Sequence, residues 1–449
     1  MSGKIGCLFL AIEKLVYGGD GLARLPANSN GRGKAVFVPF VLAGEAVEAS
    51  ITEQKAGFVR AQAGSVVEAS PYRVPPACAY FGRCGGCHYQ HASHRHQLEI
   101  KKEILRESLR RTAKMELPVE IEVHPSPQWH YRNRSRVQVQ TRPKFVAGYF
   151  KPASHDLLAV EECPISSPLV NRGLGALWQS GRDDRVPAGV AEVEFFANAD
   201  DTELLVDISC NAEARRAPVR QWAEDFVASM PAIKGLAVFR KTSSGNQHSF
   251  EKWLTVGADH LMYQTQRSAY RVSAGSFFQT NRHLTDELVR VVTAGASGEL
   301  AFDLYAGVGL FSTALAGDIR HVFSVESSQT SSADLAYNRL SNGEAVQATT
   351  EQFLAGLEDK KGRSTRLAST VGNPDLIVVD PPRSGLGERV TRSLVRLNSP
   401  RLVYVSCDPV TLARDLAPLL AAGYRVEQMH LVDLFPQTYH LETVVHLAR

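Results

Sequence analysis

From about residue 276 to the end of the chain, short apolar runs alternate with stretches of helical periodicity. The runs lie at 299–304, 321–325, 376–379 and 402–405, and the helical stretches at 310–316, 332–340, 388–397 and 411–421. Strands that alternate with helices specify a doubly wound α/β sheet. Such sheets take their ligands beyond the carboxyl ends of the strands, so the residues at those ends are the ones to read for chemistry. Two last runs, 425–432 and 443–447, are expected to form an antiparallel hairpin at the sheet's edge.

The first strand ends in Asp303-Leu304-Tyr305-Ala306-Gly307-Val308-Gly309 and opens a helix. Glycines there let the backbone approach a ligand closely. A dinucleotide fingerprint requires a third glycine, but position 312 is serine, which points to S-adenosylmethionine, a cofactor without a pyrophosphate. Glu326, at the next strand end, is placed to bind ribose hydroxyls, and Asp380-Pro381-Pro382-Arg383 is placed to line a cofactor or base pocket. Cys407 follows the 402–405 run within Ser406-Cys407-Asp408-Pro409. Near the C-terminus the chain reads Phe435-Pro436-Gln437-Thr438-Tyr439-His440-Leu441-Glu442. A thiol at a strand end and a late carboxylate make a nucleophile and base pair. With an adenosine cofactor, that pair suggests methylation of a pyrimidine ring carbon.

Upstream, residues 1–70 read as short strands between glycine turns, the pattern of a small β-barrel. Of seven cysteines, Cys78, Cys84 and Cys87 share one loop containing Gly85-Gly86, and Cys163, in Glu162-Cys163-Pro164, is the expected fourth ligand of a metal or iron–sulfur site. An odd cysteine count argues against a disulfide framework. The three-plus-one arrangement favours a cubane cluster over zinc knuckles. Residues 94–114 read as a basic amphipathic helix, with Leu98, Ile104, Leu105 and Leu109 inward and Lys101, Lys102, Arg106, Arg110 and Arg111 outward. Residues 119–272 are strand-rich. Within them Arg132, Arg134 and Arg136 alternate onto one strand face, either a solvated surface or a track for RNA phosphates. Residues 360–369 read as a polar, basic loop. The net charge of +3 does not by itself indicate nucleic acid. With no membrane-length apolar run and no signal pattern at residues 1–7, a cytoplasmic protein is expected.

Together these residues resemble the RNA uracil-C5 methyltransferases, bacterial enzymes that make 5-methyluridine in ribosomal and transfer RNA. The resemblance covers nearly the whole chain and implies three parts: a TRAM-like RNA-binding β-barrel at 1–70, an iron–sulfur loop and β-rich central RNA-binding domain at 71–275, and a Rossmann-like methyltransferase domain at 276–449. It implies Cys407 as the nucleophile that adds to uracil C6 and Glu442 as the base that removes the C5 proton. Ser276-Phe277-Phe278-Gln279-Thr280-Asn281 matches the family's cofactor motif, so Gln279, Tyr305, Glu326 and Asp380 are implied cofactor-binding residues. Cys78, Cys84, Cys87 and Cys163 match the ligands of a [4Fe-4S] cluster in the ribosomal RNA branch. Two positions depart from the pattern: Leu310 stands where many members carry asparagine, and Thr349-Thr350 precedes Glu351 where an acid is often seen. A monomer acting on ribosomal RNA is expected. The alternatives are the same reaction on transfer RNA, or a non-catalytic RNA-binding iron–sulfur protein.

Overall fold

A computed structural model describes residues 7–26, 33–244, 247–358 and 373–449. The basic loop expected at 360–369 lies outside the described residues. The chain divides into two compact units. One takes in the described part of Met1–Ser108 with Phe150–Asp156 and Phe435–His440; the other comprises Leu109–Tyr149, Leu157–Leu434 and Leu441–Arg449.

The first unit carries a six-stranded sheet in the order Cys7–Ala11, Ala46–Gln54, Phe58–Glu68, Ala35–Val38, Gly21–Arg24, Lys14–Leu15. Alternation along Ala46–Gln54 buries Val47 and Ala49, which join Leu10, Val36, Val38 and Val59 in one apolar core. Glu45 is buried but fully engaged: it accepts from Arg73 Nε at 2.5 Å, Arg73 Nη2 at 2.7 Å and the Leu42 amide at 2.7 Å. The basic helix spans His94–Ser108 and continues as a π-helical turn, Leu109–Ala113. Lys101, expected on its outer face, is buried instead, because its ammonium donates to the Phe435 carbonyl at 3.0 Å. Gln97 also binds this late segment, donating to Gln437 Oε1 at 2.9 Å.

In the second unit a seven-stranded sheet runs Leu157–Ala159, Val146–Phe150, Arg134–Gln140, Val190–Ala197, Leu204–Cys210, Ile233–Ser244, Gln247–Gly257. Two helices that the strand-rich reading passed over, Pro168–Arg182 and Arg216–Ser229, contribute Leu174, Leu177, Val219 and Trp222 to its core. The first starts where a cap and a following proline dictate: the Ser167 hydroxyl accepts the Val170 amide at 3.3 Å, and Pro168 needs no donor. Of Arg132, Arg134 and Arg136, read as either a solvated strand face or a track for RNA phosphates, the last two are engaged by Glu194. Arg134 is buried and donates to Glu194 Oε1 at 2.7 and 2.5 Å; Arg136 donates to Glu194 Oε2 at 3.0 Å, and Arg132 Nε to the Arg134 carbonyl at 2.9 Å. A carboxylate from the neighbouring strand thus meets the charge of Arg134 and Arg136.

The same unit holds an eight-stranded sheet in the order Gly343–Gln347, Ile319–Glu326, Gly298–Leu304, Leu376–Val379, Arg401–Ser406, Thr443–Ala448, Arg425–Val432, Ile121–His124. The first five strands are mutually parallel and Thr443–Ala448 runs antiparallel, as a doubly wound sheet requires. The expected C-terminal hairpin forms but is not the edge: Ile121–His124 pairs in parallel with Arg425–Val432 outside it. The order of the sheet reverses between Gly298–Leu304 and Leu376–Val379, which puts the switch point beside Tyr305 and Asp380.

Candidate active site

Cys407 is positioned by what flanks it. The strand Arg401–Ser406 ends one residue before it, and the helix Pro409–Ala421 starts two residues after. Asp408 is the N-cap: its Oδ1 accepts the amides of Val410 at 3.0 Å and Thr411 at 2.9 Å. The four-residue motif is thus a strand end, a half-buried thiol, a cap and an N1 proline. Ser406 pairs across the ladder with Thr443, so one further step of that antiparallel register sets Cys407 opposite Glu442. Val379 pairs in parallel with Leu304 and with Tyr404, which brings Asp380 to the same edge of the sheet.

The electrostatics of this edge are those of acids without enough countercharge. Burial pushes the Cys407 thiol up to about 12; the Glu442 and Asp380 carboxyls add to the effect and Arg383 opposes it. Burial, then Asp380, holds the Glu442 carboxyl well above the usual carboxylate range, again with Arg383 opposing. Asp380 is raised by burial and then by Asp303. Asp303 is itself pushed up to about 7 by burial, although it accepts a hydrogen bond from the Ser312 hydroxyl, and its Oδ1 has no partner. Burial and the neighbouring acids therefore favour the protonated forms of the thiol and of Glu442.

Gln279, Tyr305 and Asp380 line one cavity with Phe277, Phe278 and Phe311. Tyr305 has φ 67°, an uncommon backbone state for a bulky residue and one that collects at functional turns. Gly309, at φ 95°, starts the helix Leu310–Leu315; a Cβ there would lie 2.9 Å from Leu335 Cδ1. Glu326 accepts the Gly307 amide at 2.9 Å and the Ser328 amide at 2.6 Å, which bridges the glycine loop to the next strand end and leaves further lone pairs outward. The segment before Gln279 is anchored by Asp334, a buried acid that the sequence reading missed. Asp334 accepts from the Ser273 amide at 2.8 Å, from the Ser273 and Ser276 hydroxyls at 2.7 Å each, and from Arg271 Nε at 2.7 Å. Only a serine-rich stretch, Ser273 to Ser276, hinted that it needed an acceptor.

Cys78, Cys84 and Cys87 belong to the first unit and Cys163 to the second; all four are half-buried and outside any disulfide. The loop folds by successive turns, with the Cys84 amide on the Tyr80 carbonyl at 2.9 Å. The Tyr80 amide donates to Cys78 Sγ at 3.4 Å, the kind of contact that favours a ligating thiolate. Gly85 donates to the Phe150 carbonyl at 2.9 Å, and a Cβ there would stand 3.0 Å from that oxygen. The Cys163 amide is fixed by Asn171 Oδ1 at 2.9 Å. The three thiols of the Cys78–Cys87 loop suit soft metal chemistry.

A parallel sheet with a glycine loop, an acid-rich switch point and a thiol at a strand end defines an S-adenosylmethionine-dependent methyltransferase. The tRNA (Uracil-5-)-methyltransferase family profile matches residues 93–449, and the TRAM domain profile matches residues 10–63. The chain belongs to this family and is an RNA (uracil-5-)-methyltransferase. It is 32% identical over 447 residues to an uncharacterized RNA methyltransferase of Aquifex aeolicus, covering 98% of each chain. It is also 32% identical over 451 residues to the 23S rRNA (uracil(1939)-C(5))-methyltransferase RlmD of Pseudomonas fluorescens, covering 97% of this chain and 90% of that one. The fold matches that of the Pyrococcus abyssi tRNA (uracil-54, C5)-methyltransferase solved with S-adenosyl-L-homocysteine, at a TM-score of 0.72 and 23% identity over 98% of this chain and 100% of that chain. Among the described residues no helix is long and apolar enough to cross a membrane.

Proposed function

We propose that the chain methylates uridine C5 in ribosomal RNA through a covalent adduct between Cys407 and uracil C6. The observation that carries this reading is the register that sets Cys407 against Glu442 with Asp380 at the same edge. Once the Cys407 thiol has lost its proton to solvent, addition of the thiolate to C6 moves the C5–C6 electron pair toward C5 and the C4 carbonyl, making C5 a nucleophile. S-adenosylmethionine, when bound, would supply the methyl group that C5 takes, the sulfonium S–CH3 bond breaking to leave S-adenosylhomocysteine. Glu442 then accepts the C5 proton, the C5–C6 double bond re-forms, and Cys407 departs with its electron pair. Glu442 must be a carboxylate for this step. The positive charge of the methyl donor offsets the carboxyl cluster and lowers the proton affinity of both Glu442 and Cys407. Gln279, Tyr305, Glu326 and Asp380 are assigned to cofactor binding. The target uridine must leave its stack to reach a half-buried thiol.

The ribosomal substrate is supported by the likeness to RlmD over nearly the whole chain. Cys78, Cys84, Cys87 and Cys163 are assigned to a [4Fe-4S] cluster with a structural role, since none lies at the carboxyl ends of the catalytic strands. The likeness to a transfer RNA enzyme of the same fold favours a second reading, the same reaction on transfer RNA. Incubation with methyl-labelled S-adenosylmethionine and two unmodified RNAs, a 23S transcript and a transfer RNA pool, separates them. Label in 23S RNA as 5-methyluridine is expected. Label only in transfer RNA would overturn the substrate. Cys407→Ala should abolish both turnover and covalent capture of 5-fluorouridine RNA, and retained capture would remove Cys407 as the nucleophile.

A further inference from the structure

Glu122 and His124 lie two apart on the strand Ile121–His124 and so face one side of the sheet. His430, on the adjacent parallel strand, is paired with Glu122. Two imidazole nitrogens and the Glu122 carboxylate converge there, with one donor atom from each residue lying within 4.8 Å of the others. His124 Nε2 is 3.1 Å from His430 Nδ1; Glu122 Oε2 is 3.4 Å from His430 Nδ1, and Glu122 Oε1 is 3.8 Å from His124 Nε2. Ligands about 2.0–2.1 Å from a tetrahedral ion stand roughly 3.3–3.4 Å apart, close to the 3.1 Å between the two imidazole nitrogens and the 3.4 Å from His430 Nδ1 to Glu122 Oε2.

The outer nitrogens are held as a metal site holds them. His124 Nδ1 lies 2.6 Å from Glu287 Oε1, and Arg290 fixes that carboxylate with two N–H bonds of 2.7 Å. His430 Nε2 lies 3.2 Å from Gln428 Oε1. In the tautomers that donate from each outer nitrogen to its oxygen, each inner nitrogen presents a lone pair. Two lone pairs and a carboxylate oxygen aimed at one point repel one another unless a cation lies between them. Carboxylate–histidine pairs that orient a ring in this way are the usual outer shell of a bound metal.

We propose that Glu122, His124 and His430 bind a divalent transition-metal ion, zinc by preference, with Glu287 and Gln428 orienting the two imidazoles. Imidazole ligands select zinc-like ions over magnesium or calcium, and the lack of sulfur separates this site from the cysteine loop. Both histidines are buried while the Glu122 side chain is 63% exposed, so the remaining coordination position faces solvent. Methyl transfer needs nothing from the ion. Its role is to clip the added edge strand onto the catalytic sheet and, through Glu287, to the helix Thr285–Val292.

Zinc and cobalt titrations of the full-length protein test this. Wild type should bind one equivalent more than His124→Gln. Cobalt in that equivalent should show the weak visible bands of nitrogen and oxygen ligation, without the charge transfer of a thiolate site. Glu287→Gln should keep the equivalent but weaken it about 10- to 100-fold. No nitrogen–oxygen cobalt signal in folded wild type, or the same stoichiometry in His124→Gln, would overturn the site and leave a hydrogen-bonded chain running through a turned Gln428 amide. The wild-type titration stands even if a variant fails to fold.

Discussion

Glu194 and Glu442 are both buried carboxylates in the second unit, and they have opposite surroundings. At Glu194, burial pushes the carboxyl up, but Arg134 and Arg136 together outweigh it and hold it below its usual range. At Glu442, burial and Asp380 act in the same direction and Arg383 only partly opposes them. A buried acid with two guanidiniums is scaffold: its proton is gone and its hydrogen bonds fix a strand pair. A buried acid beside another acid has its proton affinity raised, so that once ionised it takes up a proton readily, which is what a base needs. Asp207, opposite Glu194 on the ladder, shows the same rule where countercharge runs out: burial lifts it to about 6.

The largest effect expected of this contrast is at Glu442. Glu442→Gln preserves size and burial but removes the proton acceptor. Turnover should fall about 10²- to 10⁴-fold, the usual contribution of a positioned base. The RNA adduct to Cys407 should accumulate, visible as a band that survives denaturing electrophoresis. Normal turnover in this variant would make Glu442 another scaffold acid and dissolve the comparison.

Arg134→Ala tests the other side. It strands Glu194 in the interior with only the exposed Arg136, and losing one partner of a buried pair costs about 3–5 kcal/mol. It also removes the 2.5 Å hydrogen bond from Arg134 Nη1 to the Ser276 carbonyl, at the start of the Gln279 segment. The midpoint of urea unfolding should drop, and KM for S-adenosylmethionine should rise more than kcat falls. Arg134→Met with Glu194→Leu should recover most of the stability, since an apolar pair of similar volume replaces the ion pair. If the double variant is no better than the single one, the arginine has a duty beyond neutralising Glu194.

What could be read from the sequence follows the same division. Strand-end chemistry is local: Asp303 to Gly309, Asp380-Pro381-Pro382 and Ser406 to Pro409 each announce a turn and a reactive group within a few residues. Partners from elsewhere in the chain were not legible. Arg134 reads as a surface charge until Glu194, sixty residues on, is seen across the ladder. Ile121–His124 is four residues long and its partner strand begins at Arg425, so no periodicity could assign it to the catalytic sheet. Lys101 fits a solvent face by spacing, and only the return of the chain at Phe435 explains its burial.

The smallest effect expected is on stability against pH, and it separates the two kinds of acid by sign. Asp303 has a folded pKa raised to about 7, against an unfolded value near ~3.9. Its contribution to stability is therefore fully present below ~4 and is lost as pH rises through about 7. Asp207 acts in the same direction with a folded value of about 6, and so adds to the lower part of that loss. Glu194 is depressed, so its contribution is present above its unfolded value of roughly 4.3 and lost only as pH falls below it. Between pH 5 and 8 the cofactor-free protein should lose stability, read as a falling Tm. Asp303→Asn, which keeps an acceptor for the Ser312 hydroxyl, should flatten the upper part of that fall. Glu194→Gln should lower Tm at both pH values without changing the slope between them. A slope unchanged by Asp303→Asn would mean that this acid is ionised at neutral pH like Glu194, and the two regions would no longer differ in kind.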